Sequence, residues 1–104
     1  IVMKNTDKKL IAVDLDGTLT ENDCWTAHEC LVAEARVDII KKVRDLYYDR
    51  NVIIIYTARP ETMRNETEYW LRKNKVKYHA LVMGNNKMGA DIYVDDRAIR
   101  PEEL

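Results

Sequence analysis

Leu10-Ile11-Ala12-Val13-Asp14-Leu15-Asp16-Gly17-Thr18-Leu19-Thr20 is the stretch that decides the fold. Leu10 to Val13 are apolar without alternation, the pattern of a strand buried on both faces. The run stops at two carboxylates, a glycine and two threonines. Open α/β sheets place their sites at the carboxyl ends of such strands. Alternate strand residues point the same way, so Asp14 and Asp16 converge on one small volume. Gly17 lets the chain turn sharply without a Cβ penalty. Two convergent carboxylates repel, and they call for a cation, a shared proton or different protonation states. A surface turn rich in Asp and Gly is the plainer alternative, and the rest of the chain decides between the two.

At 104 residues the chain can build one modest core but not two, so residues 1–104 are read as a single domain. Lys and Arg number 17 and Asp and Glu 18, a formal net charge of −1. That balance removes any whole-molecule electrostatic case for nucleic acid, while a local basic patch stays open. No segment approaches the ~20 apolar residues a membrane helix needs, and no secretory signal pattern opens the chain. Cys24 and Cys30 are too few for a disulfide scaffold. With His28 they match no common zinc spacing and lack a fourth ligand. A reduced, cytoplasmic protein with no membrane partner is the expectation.

Thr20 to Glu29 has no clean period and reads as an irregular loop. From about Glu34 to Asp49, the apolar residues Val37, Ile40, Val43, Leu46 and Tyr47 recur at three- and four-residue intervals. This spacing predicts an amphipathic helix with one face on a sheet. Arg50-Asn51 turns the chain into Val52-Ile53-Ile54-Ile55-Tyr56, a β-branched run that again reads as a doubly buried strand. Thr57-Ala58-Arg59-Pro60-Glu61-Thr62 follows, with Pro60 and Glu61 suited to a first helical turn. That helix is expected to bury Met63, Trp70 and Leu71 and to stop at a left-handed Asn74. The cations from Arg72 to Lys77 read as a solvated helix end. Tyr78 to Met83 is a third strand, broken by Gly84-Asn85-Asn86. Ala90 to Val94 is a short fourth strand that ends at Asp95-Asp96. Alternating strands and helices imply a parallel sheet with right-handed crossovers, hence a small three-layer α/β domain.

Reactive side chains then fall at strand ends: Asp14 and Asp16 after the first, Thr57 after the second, Asp95 and Asp96 after the fourth. Lys87 lies in the loop just before the fourth strand. One edge of a parallel sheet gathers them into one crevice. Asp-x-Asp-Gly-Thr, a Thr, a Lys and paired acids, in that order, resemble the four motifs of the haloacid dehalogenase superfamily in its phosphatase form. The resemblance covers nearly the whole chain and implies a Rossmannoid αβα fold and Mg²⁺-dependent hydrolysis of phosphomonoesters. By that resemblance Asp14 is the nucleophile that forms an aspartyl-phosphate. Asp16 protonates the leaving oxygen and then deprotonates the hydrolytic water. Thr57, the Ala58 backbone amide and Lys87 would hold the transferring phosphate. Mg²⁺ would take the Asp14 carboxylate, the Asp16 carbonyl and Asp95 as hard oxygen ligands. Asp96 would bind the metal through water or orient Lys87. Asn85, Asn86 and Met88 depart from the Lys-Pro that small sugar-phosphatase relatives often show around this lysine.

Neither the interval from Asp14 to Thr57 nor that from Thr57 to Lys87 has room for an inserted cap domain, so a capless member is expected. An uncapped site must exclude water by another route. The expectation is a homo-oligomer in which Thr20–Glu29, with Trp25 as anchor, lines a neighbour's site or a shared interface. Tyr56 to Pro60 and Tyr93 to Ile99 look like small phosphatases associated with capsular polysaccharide biosynthesis, which implies a small phosphorylated metabolite such as a sugar phosphate. A polynucleotide 3′-phosphatase or nucleotidase is the second enzymatic reading. Phosphatase domains of polynucleotide kinases share an Arg just after the Thr motif and a Trp-containing helix beyond it, but the near-neutral charge weighs against nucleic acid. A receiver-like phospho-acceptor module is the non-enzymatic alternative. It would need two adjacent acids after the first strand and an acceptor Asp after the third, and this chain has neither.

Overall fold

Apolar residues on both faces make Leu10–Asp14 (β1) and Val52–Tyr56 (β2) neighbours in the interior of the sheet. Ile11, Ala12 and Val13 have no solvent exposure, and neither do Ile53 and Ile55. The computed structural model describes residues 8–84, 90, 92–95 and 98–99. Between the two strands lie α1 (Ala27–Val32) and α2 (Val37–Tyr48). After β2 come a 3-10 turn (Glu61–Met63), α3 (Arg64–Lys73), β3 (Ala80–Val82), β4 (Ile92–Asp95) and β5 (Ala98–Ile99).

The sheet order is β3-β2-β1-β4-β5. β1 is parallel to β2 and to β4, and β2 is parallel to β3. This is the expected α/β domain, and no cap domain is inserted after β1 or β2. An antiparallel β5 on β4 departs from the all-parallel expectation. The chain from Asp95 to Ala98 is far too short for a parallel crossover, which needs about a dozen residues or more, so the chain folds back. Register fixes the working edge: Asp14 is level with Tyr56 on β2, and Val13 with Val94 on β4. Asp14 and Asp95 therefore stand one step past the same rung.

Ile39, Ile40 and Val43 of α2, Trp70 and Leu71 of α3, and Met83 complete the core around the sheet. Val37, expected on the buried face of α2, is its first residue and stays exposed. The left-handed residue after α3 is Lys75 (φ 58°), one beyond Asn74. Asn74 instead caps the helix through its side chain, whose Nδ2 donates to Trp70 O at 2.9 Å.

Thr20–Glu29 is less irregular than expected, because α1 begins inside it. Thr26 Oγ1 accepts the Glu29 N–H at 3.1 Å, and Glu29 Oε1 accepts the Thr26 N–H at 3.2 Å. This reciprocal capping box starts a helix too short to show an apolar period. The indole Nε1 of Trp70 donates to Ala33 O at 2.7 Å and fixes the end of this flap on α3.

Candidate active site

The turn after β1 is built on a single carbonyl. Leu15 O accepts from Thr18, Leu19 and Thr20 N–H at 2.9–3.2 Å. Gly17 adopts φ 81°, where a Cβ would clash. Thr20 Oγ1 accepts from Gly17 N–H at 3.0 Å and donates to Asn22 O at 2.7 Å, so its burial is fully compensated. Asp14, half-buried at the strand end, accepts the Leu15 N–H at 2.9 Å on Oδ1. A longer contact, 3.5 Å, joins Thr18 Oγ1 to its Oδ2.

Asp16 lives in a different environment. Arg59 Nε lies 3.2 and 3.1 Å from its two oxygens, and Nη2 donates to Oδ1 at 2.6 Å. The Arg59 side chain is only 4% exposed, and its Nη1 donates to the buried Thr67 Oγ1 of α3 at 2.9 Å. Thr57 Oγ1 donates to Asp16 Oδ2 at 3.1 Å and accepts the Arg59 N–H at 3.1 Å. A buried cation needs a partner, and Asp16 supplies it in bidentate form. The segment from Thr57 to Arg59 is thus folded around Asp16. It is also tied to the end of β3, since Thr57 N–H donates to Val82 O and Gly84 N–H to Arg59 O.

Asp14, Asp16, Thr57 and Ala58 line one cleft of about 480 Å³. Cys24 and Trp25 of the flap, with Pro60 and Met63, complete much of its wall. The Thr57 hydroxyl is committed to Asp16, whereas Ala58 is exposed and its amide donates to no described residue. Asp95 occupies the strand position beside Asp14. Lys87 and Asp96 lie outside the described residues, as does the side chain of Asp95. Arg59 is the residue that sequence reasoning left without a role here. Its signal was its place two residues after Thr57, at a buried strand end where an unpaired cation would be costly.

The expected pair of reduced cysteines is not what the fold contains. Cys24 and Cys30 form a disulfide, with their Cα atoms 5.4 Å apart. The turn into α1 brings them together, and the pairing also removes them from any zinc site. Cys24 Sγ lies 3.7 Å from Asp16 Oδ1, a packing contact because a disulfide sulfur carries no hydrogen.

Among the described residues no three His, Cys, Asp or Glu side chains group into a ready-made metal site. The donor chemistry nonetheless suits a hard cation. The Asp16 carboxylate is taken by Arg59 and Thr57, so a metal beside the Asp14 carboxylate and the Asp95 position would have to meet Asp16 through its backbone carbonyl.

The family model for the LNS2 domain of PITM 1-3 matches residues 11–98. A crystal structure of a protein from Vibrio cholerae is 34% identical, with a TM-score of 0.62 over 92% of this chain and 85% of its own. A conserved protein from Bacteroides thetaiotaomicron shares the fold at a TM-score of 0.69 and 20% identity, covering 93% of this chain and 84% of its own. A chain of the Pnkp1/Rnl/Hen1 RNA repair complex shares it at 0.67 and 22% identity. There 86% of this chain is covered but only 30% of the larger one. No curated protein matches. With the Asp-x-Asp strand end, the sheet order and the absence of a cap, these matches place the chain in the LNS2 domain family, a capless branch of the haloacid dehalogenase superfamily.

Proposed function

We propose that this chain is a Mg²⁺-dependent phosphomonoesterase that passes the phosphoryl group through Asp14, with a small phosphorylated metabolite such as a sugar phosphate as substrate. One observation carries the reading: two carboxylates with one residue between them, Asp14 at the end of β1 and Asp16 in the turn after it, hold different partners. Asp14 is held by the Leu15 amide at the cleft, and Asp16 by Arg59 and Thr57. Paired acids in different environments are what a nucleophile and an acid–base group require.

An Asp14 oxygen attacks phosphorus in line, the bond from phosphorus to the leaving oxygen breaks, and that oxygen takes from Asp16 the proton that Asp16 gained from water in the preceding turnover. Asp16 then takes a proton from water, whose oxygen displaces Asp14 and releases phosphate. To reach the leaving oxygen, Asp16 exchanges part of its contact with Arg59 for the ester. Ala58 N–H is the open backbone donor for a phosphate oxygen, Thr57 positions Asp16, and Lys87 is assigned the balancing charge. Asp14, the Asp16 carbonyl and Asp95 would hold Mg²⁺, with Asp96 in support. When bound, the ion screens the repulsion between carboxylate and phosphate. A cytoplasmic setting suits such a substrate but requires the Cys24–Cys30 bond to persist against cytosolic thiols.

Phosphate release from a panel of sugar phosphates, nucleotides and 3′-phosphorylated oligonucleotides, with and without Mg²⁺, tests this. Turnover is expected with Mg²⁺ alone and is abolished in Asp14→Asn, which keeps the shape but removes the nucleophile. An Asp14→Asn protein retaining about a tenth of kcat contradicts the covalent route.

A further inference from the structure

The cleft over Asp14 has an apolar wall that phosphoryl transfer leaves unused. Trp25 is 79% exposed and yet lines this cleft of its own chain, alongside Pro60 and Met63. An indole left in water forgoes a large burial gain, which a covering ring would recover. The flap that carries it is pinned at several points. At its base Thr20 bridges Ala35, Glu21 N–H donates to Glu34 O at 2.8 Å, and Arg36 N–H donates to Leu19 O at 2.7 Å. Within it, the disulfide joins Cys24, directly before Trp25, to Cys30 on α1. Trp25's own N–H donates at 2.7 Å to Glu29 Oε1, the carboxylate that closes the Thr26 capping box. Little loop entropy remains to be lost when a ligand lands on a ring whose backbone is held this way.

We infer that Trp25 is the stacking platform for a ring carried by the leaving group of the substrate. The occupant is a ring face on the molecule that carries the transferred phosphate, either the C–H face of a sugar phosphate's pyranose or the π face of a nucleotide's base. This rests on the phosphomonoesterase reading and adds a substrate class to it. Asp23, also in the lining, supplies acceptor oxygens for ring hydroxyls or amines. Its charge disfavours a second phosphate there, so ring-bearing monophosphates are preferred over polyphosphates.

Fluorescence reads the platform without turnover. Of the two tryptophans Trp70 is buried, so a ligand-dependent change belongs to Trp25. In Asp14→Asn with Mg²⁺, a hexose phosphate or a nucleoside 3′-monophosphate should quench or shift the emission and glycerol phosphate should not. Adding Trp25→Phe should remove this ligand-dependent change and leave the emission of Trp70. In the otherwise wild-type chain, Trp25→Ala should lose roughly ten-fold more kcat/KM on the ring substrate than on glycerol phosphate, mostly through KM. Trp25→Phe should restore most of the difference. Whichever ring class shows the larger ratio identifies the source. No fluorescence change with either ring, or equal losses on ringed and ringless substrates, overturns the inference. So does a loss explained by a dimer that Trp25→Ala dissociates. A wild type that hydrolyses no phosphomonoester defeats the phosphatase reading alone, and the fluorescence titration still decides the platform.

Discussion

Arg59 shows how one side chain can organise a site it was not expected to serve. Its guanidinium binds Asp16 from a position almost free of solvent, and Thr67 takes its remaining arm. Arg59→Ala leaves Asp16 with Thr57 alone and should cost about 3–5 kcal/mol of stability, the range for breaking a buried pair from one side. Thermal or denaturant unfolding measures that loss. Arg59→Lys keeps the charge but not the fork, so kcat should fall more than KM rises, because Asp16 is then poorly aimed. Equal stability in all three proteins would mean that the clamp does not form. Asp14, Asp16, Thr57 and Ala58 were legible in the sequence because the carboxyl ends of parallel strands gather at one edge; strand alternation, expected to aim Asp16, does not, since β1 ends at Asp14 and Asp16 lies in the turn beyond it. The clamp was not legible, since whether Arg59 turns inward depends on a buried Thr67 and a carboxylate far away in the chain.

At the level of elements, long periodic segments declared themselves and short ones did not. α2, α3, β1 and β2 follow from hydrophobic spacing, whereas the six residues of α1 are set by capping chemistry. Thr26→Ala removes one side of the capping box and should cost about 1 kcal/mol. In a domain this small that corresponds to a melting point lower by roughly 4–8 °C. Arg64 ties the start of α3 to its surroundings, donating to Glu61, Glu68 and Leu81 O. Its hydrogen bond to Glu61, and then its charge, hold that carboxyl below the usual glutamate range. The contact therefore stabilises the fold above the ordinary glutamate value and is lost as pH falls through the lowered one. Melting curves of wild type and Arg64→Ala should approach each other as that contact is titrated away, and added salt should narrow the gap at neutral pH.

Across the whole molecule, the parallel sheet brings residues distant in sequence to one edge, and the missing cap leaves that edge open. β4 sits beside β1, so Asp95 reaches the level of Asp14 from the far end of the chain. Strand order makes this much legible beforehand, whereas the disulfide that stiffens the flap depends on a turn that no hydrophobic period announces. Asp95→Ala should raise the Mg²⁺ requirement steeply and Asp96→Ala less so, as titration of activity against Mg²⁺ would show; the reverse order would move the metal role to Asp96. Trp25 of the flap lines the cleft of its own chain, so a protein that sediments as a monomer should turn over ring-bearing monophosphates as fast as any larger species. The central claim is that Asp14 carries the phosphoryl group. It is tested most directly by acid-quenching the enzyme during turnover of an activated aryl phosphate with Mg²⁺ and locating any added mass by peptide mass spectrometry. The account predicts one phosphoryl group on the peptide containing Asp14, accumulating further in Asp16→Asn and absent in Asp14→Asn. Turnover with no phosphoryl group on that peptide in either the wild type or Asp16→Asn would contradict it.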